Sequence, residues 1–201
     1  MDNEKTLNVV QAIARFNHLL GTDSTLPEER ALAVSWLLHI VGDIHQPLHS
    51  TALFTMRRFR QGDAGANGIM IKGAEDLHEV WDGSLVIDVE TLAEHSKLLE
   101  HLQSDTRTVH QAEVGAKTLD PVTWLYEATI WPVRSHITTS SWETTAANEA
   151  VYYPSKSWRE QPYLPEVTLS DHYVARSKRV ARRRILLAGY RLASLFRQLG
   201  F

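Results

Sequence analysis

The sequence contains no cysteine among its 201 residues, which excludes disulfide bonds and metal sites built from thiolates. It also lacks any run of about 18 apolar residues, the length that a membrane-spanning helix needs. We therefore expect no contact with a membrane. The net formal charge of −3 provides no overall attraction to a polyanion. Any contact with nucleic acid must be local.

What remains is the composition of a folded chain that is rich in histidine. Apolar residues make up 43% of the sequence, and a chain of this length can bury a sizeable core. We predict a single domain over residues 1–201 and a monomer. The first residues, Met1-Asp2-Asn3-Glu4-Lys5, are polar and do not form the apolar core of a signal peptide. The positions of the ten histidines carry more information.

Helical periodicity dominates the chain, and no segment alternates convincingly as a strand does. Thr25–Glu29 looks like a helix start, with a proline and acids in the first turn. These patterns predict an all-α fold. The predicted helices are Leu7–Leu20, Ala31–Gln46 after its start signal, Ala74–Val86, Val89–Val114, Pro121–Ile137 and Leu169–Leu199, and residues 140–167 are predicted to form a loop.

Two histidine–aspartate pairs, His39 with Asp43 and His78 with Asp82, have the same four-residue spacing on predicted helices. This spacing places both members of a pair on one helix face. His49 follows the first pair after a short interval. Imidazole nitrogen and carboxylate oxygen are the ligands that zinc accepts in the absence of thiolates. Three protein ligands leave one position open for water, which is typical of a catalytic site.

An ordinary surface pair is the alternative explanation for each of these spacings. The first pair, however, lies within the largely apolar segment Ser35–Ile44. Burying two polar groups there is costly unless they are paired or bind a metal. The spacing alone leaves both explanations open.

Longer motifs surround these residues. Leu38–His49, LHIVGDIHQPLH, resembles the signature of the S1/P1 nuclease family, and Asp76–Asp82, DLHEVWD, resembles its second motif. Gly62–Asn67 is similar to the family's glycine-rich loop, and Leu187–Ala193 to its last helix. The resemblance covers nearly the whole chain and implies an all-α fold of the phospholipase C/P1 nuclease type.

The resemblance also implies roles for the five candidate ligands. His39 and Asp43 would bind one metal of a close pair, with Asp43 bridging both members and orienting the activated water as the catalytic residue. His49, His78 and Asp82 would bind a third metal completely. The family uses three Zn²⁺ ions, so the chain carries complete ligands for one and partial ligands for the other two.

The activity that the resemblance implies is hydrolysis of single-stranded DNA and RNA to 5′-phosphate products, often with 3′-nucleotidase activity. Family members are typically secreted or periplasmic, which leaves the compartment of this chain open. In the family, an N-terminal tryptophan, two further histidines and an aspartate complete the metal pair. We find no counterparts here and expect a domain that lacks this N-terminal segment. Ala66 replaces a glycine of the family's loop, so we expect a different backbone conformation there.

Asn67, Arg57 and Arg58 are the candidate substrate contacts, because they lie close to the metal motifs. A flexible, solvated loop is the alternative. The basic run Arg176–Arg184 is interpreted as an exposed helix face, with a nucleic-acid footprint as the second possibility. We expect His45 to have a structural role.

Four functions remain in competition. The leading hypothesis is a zinc-dependent nuclease, and the second is a catalytically impaired metal-binding remnant of the same family. The third is a zinc-dependent phospholipase C of the related fold. The fourth is a plain helical scaffold. Counting bound metals separates the first two, and the choice of phosphodiester substrate separates the first from the third.

Overall fold

In a computed structural model of the protein, the structure describes residues 7–54, 59–83, 92–130 and 166–201. Within these ranges, strand-like pairing is limited to two isolated β-bridges, Met70 with Asp76 and Ile71 with Val167. The all-α prediction is therefore confirmed for the described residues. The helices are α1 Val9–Leu20, α2 Pro27–His45, α3 Leu77–Gly83, α4 Leu92–Gln103, α5 Thr106–Gly115, α6 Pro121–Ile130 and α7 Asp171–Gln198, and a 3₁₀ turn spans Pro47–His49.

Local capping determines where the first helices begin and end. Asn8 and Gln11 form a reciprocal capping box at the start of α1, which places the first helical residue two positions after the predicted Leu7. Helix α2 begins at Pro27, as proline at a first helical position favours. It ends at His45 because Pro47 lacks the N–H group and imposes an extended conformation on the residue before it.

The prediction of one helix over Val89–Val114 is wrong, because the chain divides there into α4 and α5. The side chain of Asp105 accepts hydrogen bonds from the backbone N–H groups of Arg107 at 3.1 Å and Thr108 at 3.3 Å. Aspartate in this position starts a new helix rather than continuing the old one. Residues 84–91 and 131–165, which include the end of the helix predicted to Ile137 and most of the predicted loop, lie outside the described residues.

Helix α7 contributes to three apolar clusters, and its 28 residues span about 42 Å. One cluster joins α7 to α1, α2 and α6 around Leu37, Trp124 and Leu195. Another joins the start of α7 to α3 and the loop before it around Leu77 and Trp81. The third involves α4 and α5. This packing fixes α2 and α3 relative to each other. None of the helices in the described ranges is long and apolar enough to cross a membrane.

Candidate metal centre

Three predicted ligands converge where the 3₁₀ turn after α2 meets α3. The Nε2 atoms of His49 and His78 lie 3.1 Å apart, and Nε2 of His78 lies 3.5 Å from Oδ2 of Asp82. One ligand atom from each of the three residues lies within 4.8 Å of the others. Among the described residues, these three form the one such group of histidine, cysteine and acidic side chains.

The spacing of these donor atoms fits a zinc ion. Zinc binds imidazole nitrogen and carboxylate oxygen at about 2.0–2.2 Å with tetrahedral geometry. Tetrahedral donors at such distances lie about 3.4 Å from one another, close to the separations of 3.1 Å between the two histidines and 3.5 Å between His78 and Asp82. The donor set contains two nitrogens and one oxygen, which leaves a fourth position for water or substrate. A zinc ion could therefore be bound by His49, His78 and Asp82 in a site of the catalytic type.

A backbone carbonyl sets the orientation of His78. Its Nδ1 donates a hydrogen bond of 2.8 Å to the carbonyl oxygen of Gly65, so the proton is on Nδ1 and the lone pair of Nε2 faces His49. Gly65 adopts φ +70°, and a Cβ atom on it would lie 2.9 Å from the carbonyl oxygen of Leu48. Glycine is therefore required at position 65 by both backbone conformation and space.

The loop that contains Gly65 keeps left-handed backbone conformations even at its alanines. Ala64 has φ +54° and Ala66 has φ +76°. The expectation that replacing glycine by alanine changes the conformation at position 66 is therefore not supported, because Ala66 keeps a positive φ. Its side chain is fully buried, so apolar packing offsets part of the strain of this conformation.

A side chain from the end of α2 supports Asp82. Nε2 of Gln46 donates to Oδ1 of Asp82 at 3.0 Å, leaving Oδ2 directed at His78. Hydrogen bonds of this kind orient metal ligands and tune their affinity. Neither Gln46 nor Gly65 is among the ligands that the motif spacing predicts. Gln46 and Asp82 are 36 positions apart, and the sequence contains no signal for such a contact.

The other predicted pair, His39 with Asp43, lies beside this site. Nε2 of His39 is 3.2 Å from Oδ2 of Asp43, while Oδ1 of Asp43 is 3.8 Å from Nδ1 of His49. The Asp43 carboxylate thus faces both a member of its own pair and a member of the three-ligand group. The two side chains of the pair are 66% and 37% exposed, and within the described residues no third donor joins them.

The surroundings of His49 favour its neutral ring. Burial lowers the pKa of the His49 ring below its usual value, His78 contributes in the same direction, and the nearby carboxylate of Asp43 opposes both. The neutral ring is the form that binds a metal ion. At neutral pH, the His49 ring is therefore in the neutral form that can coordinate a metal ion.

A cleft of about 410 Å³ opens beside Asp43 and His49. Its other walls are mainly apolar and include the rings of Phe16 and Trp36. These two rings are parallel within 4°, with centroids 6.3 Å apart. The cleft combines a polar end at the candidate ligands with an aromatic wall.

Several other predicted residues take different positions. The Asn67 side chain donates to the carbonyl of Ala64 at 2.6 Å and supports the loop. Arg57 and Arg58 lie outside the described residues. His45 is buried on the core side of α2. The basic run on α7 is not a uniformly exposed face, because Arg184 is buried.

Comparison with known proteins gives consistent matches. Residues 1–200 match the family model described as S1/P1 Nuclease. Nuclease S1 of Aspergillus oryzae is 28% identical over 190 residues, covering 92% of this chain and 60% of that protein. Endonuclease 5 of Arabidopsis thaliana is 26% identical over 165 residues, covering 81% of this chain and 49% of that protein. The chain thus spans about half to three-fifths of the length of these relatives.

Proposed function

The chain belongs to the S1/P1 nuclease family, and on this premise we propose that it is a zinc-dependent phosphodiesterase. Its proposed substrates are single-stranded DNA and RNA, its products carry 5′-phosphates, and removal of 3′-phosphates is a second reaction to be tested. The observation that carries the proposal is the convergence of His49, His78 and Asp82 at zinc-like spacing. The names of the relatives, Nuclease S1 and Endonuclease 5, agree with this chemistry.

Each candidate ligand has a role in this proposal. His49, His78 and Asp82 would hold one zinc ion as its three protein ligands. Bound zinc supplies a Lewis acid and a water of lowered pKa, the two contributions that phosphodiester hydrolysis needs. We assign Asp43 the role of orienting the attacking water, because its carboxylate faces both His39 and His49. His39 and Asp43 together provide part of the ligand set for a further metal pair.

The cleft beside Asp43 supports a nucleotide substrate. A phosphate at the polar end would place the adjoining base along the wall that contains Phe16 and Trp36. Bases stack on aromatic rings without strong sequence preference. Asn67, Arg57 and Arg58 stay proposed as additional substrate contacts.

The test uses the purified chain loaded with zinc and a set of phosphodiester substrates. We expect cleavage of single-stranded DNA or RNA, 5′-phosphate ends by mass spectrometry, and loss of activity with a chelator. Asp43→Asn should abolish cleavage, whereas Asp23→Asn, which changes an exposed aspartate between α1 and α2, should not. Intact nucleic acid with zinc demonstrably bound would overturn the proposal, and hydrolysis of phosphatidylcholine alone would favour a phospholipase.

One observation favours a second candidate, a metal-binding protein without nuclease activity. The described residues contain a single complete three-ligand group, while the pair of His39 and Asp43 has no third donor there. Metal analysis distinguishes the two candidates. One tightly bound zinc ion per chain favours the binding protein, and three favour the enzyme.

A further inference from the structure

Two arginines of α7, Arg184 and Arg191, are buried on the core side of α2, with 4% and 0% of their surface exposed. Arginine is almost never fully buried unless it is paired. Here both guanidinium groups contact Glu127 of α6 and His45, the last residue of α2. We refer to these four residues as the arginine cluster.

Arg191 contacts mainly side chains, and its Nε also donates to the carbonyl oxygen of Gly115 at 3.4 Å. Its Nη1 donates to Nε2 of His45 at 2.9 Å, and its Nη2 donates to the Glu127 carboxylate at 2.8 Å. Its guanidinium carbon also lies 5.3 Å from the centroid of the Trp124 ring. One guanidinium thus connects α2, α6 and α7 through directional bonds.

Arg184 contacts the backbone of both α2 and α6 as well as the Glu127 side chain. Its Nε donates to the carbonyl oxygen of His45 at 2.8 Å, one of the carbonyls that a helix end leaves without an intrahelical donor. Its Nη2 reaches the carbonyl oxygen of Trp124 at 3.3 Å, and its Nη1 lies 3.4 Å from Glu127. Arg184 therefore caps α2 at the residue where the chain turns toward the candidate metal centre.

The His45 ring can satisfy its contacts with Val41 and Arg191 in only one protonation state. Its Nδ1 lies 2.7 Å from the carbonyl oxygen of Val41 and must donate to it. Its Nε2 must then accept from Arg191, because a guanidinium has no acceptor. Burial, reinforced by the charge of Arg184, lowers the pKa of His45 to about 3. The ring is neutral and makes hydrogen bonds through both nitrogens.

The cluster lies directly behind the candidate ligands. Asp43 is two residues before His45, on the outer side of the same helix, and His49 is four residues after it. The direction of the last turn of α2 therefore determines where both side chains face. We propose that Arg184 and Arg191 are positioning residues, which fix the end of α2 and thereby the placement of Asp43 and His49. This inference rests on the metal site of the proposed function.

The same helix offers a matched control. Arg182 donates to the backbone carbonyls of His101 and Leu102 and to the hydroxyl of Ser104. It therefore caps the end of α4 as Arg184 caps the end of α2, but the candidate ligands lie on other elements. Replacing Arg184 or Arg182 removes a helix cap in each case. Only the cap of α2, which Arg184 provides, lies next to the candidate metal centre.

The experiment compares Arg184→Gln with Arg182→Gln. Zinc affinity is measured by competition with a chromophoric chelator, well below the unfolding midpoint of each variant. We expect Arg184→Gln to bind zinc about 10-fold more weakly, the lower end of the range for loss of an outer contact. Arg182→Gln should stay near the wild type even though its midpoint also falls. Equal zinc affinity in the two variants would overturn the inference.

Arg184→Lys provides the second variant, in case Arg184→Gln does not fold. Lysine keeps the charge and a donor for the His45 carbonyl but cannot also bond Glu127 and Trp124 in the planar geometry of arginine. We expect intermediate zinc affinity. A lowered unfolding midpoint with wild-type zinc affinity would mean that Arg184 is merely structural.

A readout in the zinc-free protein separates this inference from the proposed function. The imidazole resonances of His49 and His78, observed by NMR, should shift in the Arg184 variants and not in Arg182→Gln. Wild-type protein that binds no zinc would contradict the proposed function, but the resonance shifts would still decide the positioning role. Unchanged resonances in both Arg184 variants would refute it.

Discussion

The pairs His78–Asp82 and His39–Asp43 have the same spacing on helices but different surroundings. His78 is 19% exposed, with one ring nitrogen bonded to the Gly65 carbonyl. His39 is 66% exposed. In the described part of the chain, its ring contacts are Asp43 and the edge of Trp36. Among the residues that the structure describes, only the pair His78–Asp82 has a third donor within coordination distance.

The difference separates what helical spacing determines from what tertiary structure determines. Four-residue spacing brings an imidazole and a carboxylate onto one face in both pairs. A third ligand from another element, and outer hydrogen bonds that orient the ligands, turn such a pair into a metal site. Gly65 and Gln46 provide these bonds at one pair. The two pairs should therefore respond differently to the same perturbation.

The largest expected effect comes from His78→Ala compared with His39→Ala. Loss of a group that only hydrogen-bonds a metal ligand weakens metal binding by about 10–100-fold. Loss of the candidate ligand His78 should therefore weaken the tightest zinc binding by more than about 100-fold. His39→Ala should leave that site within a few fold of wild type. Chelator competition measures both affinities. Similar losses in the two variants would mean that the pairs are equivalent and that the comparison is wrong.

Gly65→Ala tests whether the backbone carbonyl makes the difference. Its Cβ would lie 2.9 Å from the Leu48 carbonyl oxygen, which should displace the bond to His78 and weaken zinc binding by about 10–100-fold. Gly73→Ala is the matched control, because Gly73 also has positive φ but open space around it. Both variants should lose about 1–2 kcal/mol of stability from the left-handed backbone. Retained zinc affinity in Gly65→Ala would exclude the carbonyl from the site's function.

A pH series sharpens the comparison by isolating His45, which belongs to neither pair. Its folded-state pKa of about 3 lies below that of an unfolded histidine. As the pH falls below about 6.5, the unfolded state gains a proton that the folded state does not, so stability falls. His45→Gln keeps a donor and an acceptor without titrating. Between pH 6 and pH 5, wild type should lose about 1 kcal/mol more than this variant, as measured by urea unfolding with a chelator present. Parallel pH dependences would contradict the neutral, buried ring.

The sequence was sufficient to predict the elements whose signals are local. Hydrophobic periodicity, Pro27 and Pro47 predicted α2 closely, and α7 begins two residues after its predicted start. The prediction of a single helix over Val89–Val114 failed because the apolar spacing continues through Asp105. That aspartate caps the start of a new helix. An N-cap inside a periodic segment is a local signal that outweighs the periodicity.

For the site, the sequence predicted residue types and spacing but not convergence. His49, His78 and Asp82 meet because α3 packs against the turn after α2, and that packing depends on α7 and on a loop with four left-handed residues between Gly62 and Ala66. The roles of Gln46, Gly65 and Arg184 depend on contacts between distant positions. No spacing rule could have identified them, although the glycine-rich loop marked the region.

The smallest predicted effect tests the backbone strain in the loop Gly62–Ala66. This loop contacts His78 of the three-ligand group through the Gly65 carbonyl. Ala64 is exposed with φ +54°, a conformation that costs an L-residue about 1–2 kcal/mol. Glycine relieves that strain but adds freedom to the unfolded chain, so Ala64→Gly should stabilise the protein by roughly 0.5 kcal/mol. Ala31→Gly, at an exposed position of α2, should instead destabilise it by about 1 kcal/mol. Urea unfolding of both variants measures the difference. If both Ala64→Gly and Ala31→Gly destabilised the protein, position 64 would carry no backbone strain that glycine can relieve. The Gly65 carbonyl would then be held toward His78 without a cost in the free energy of folding.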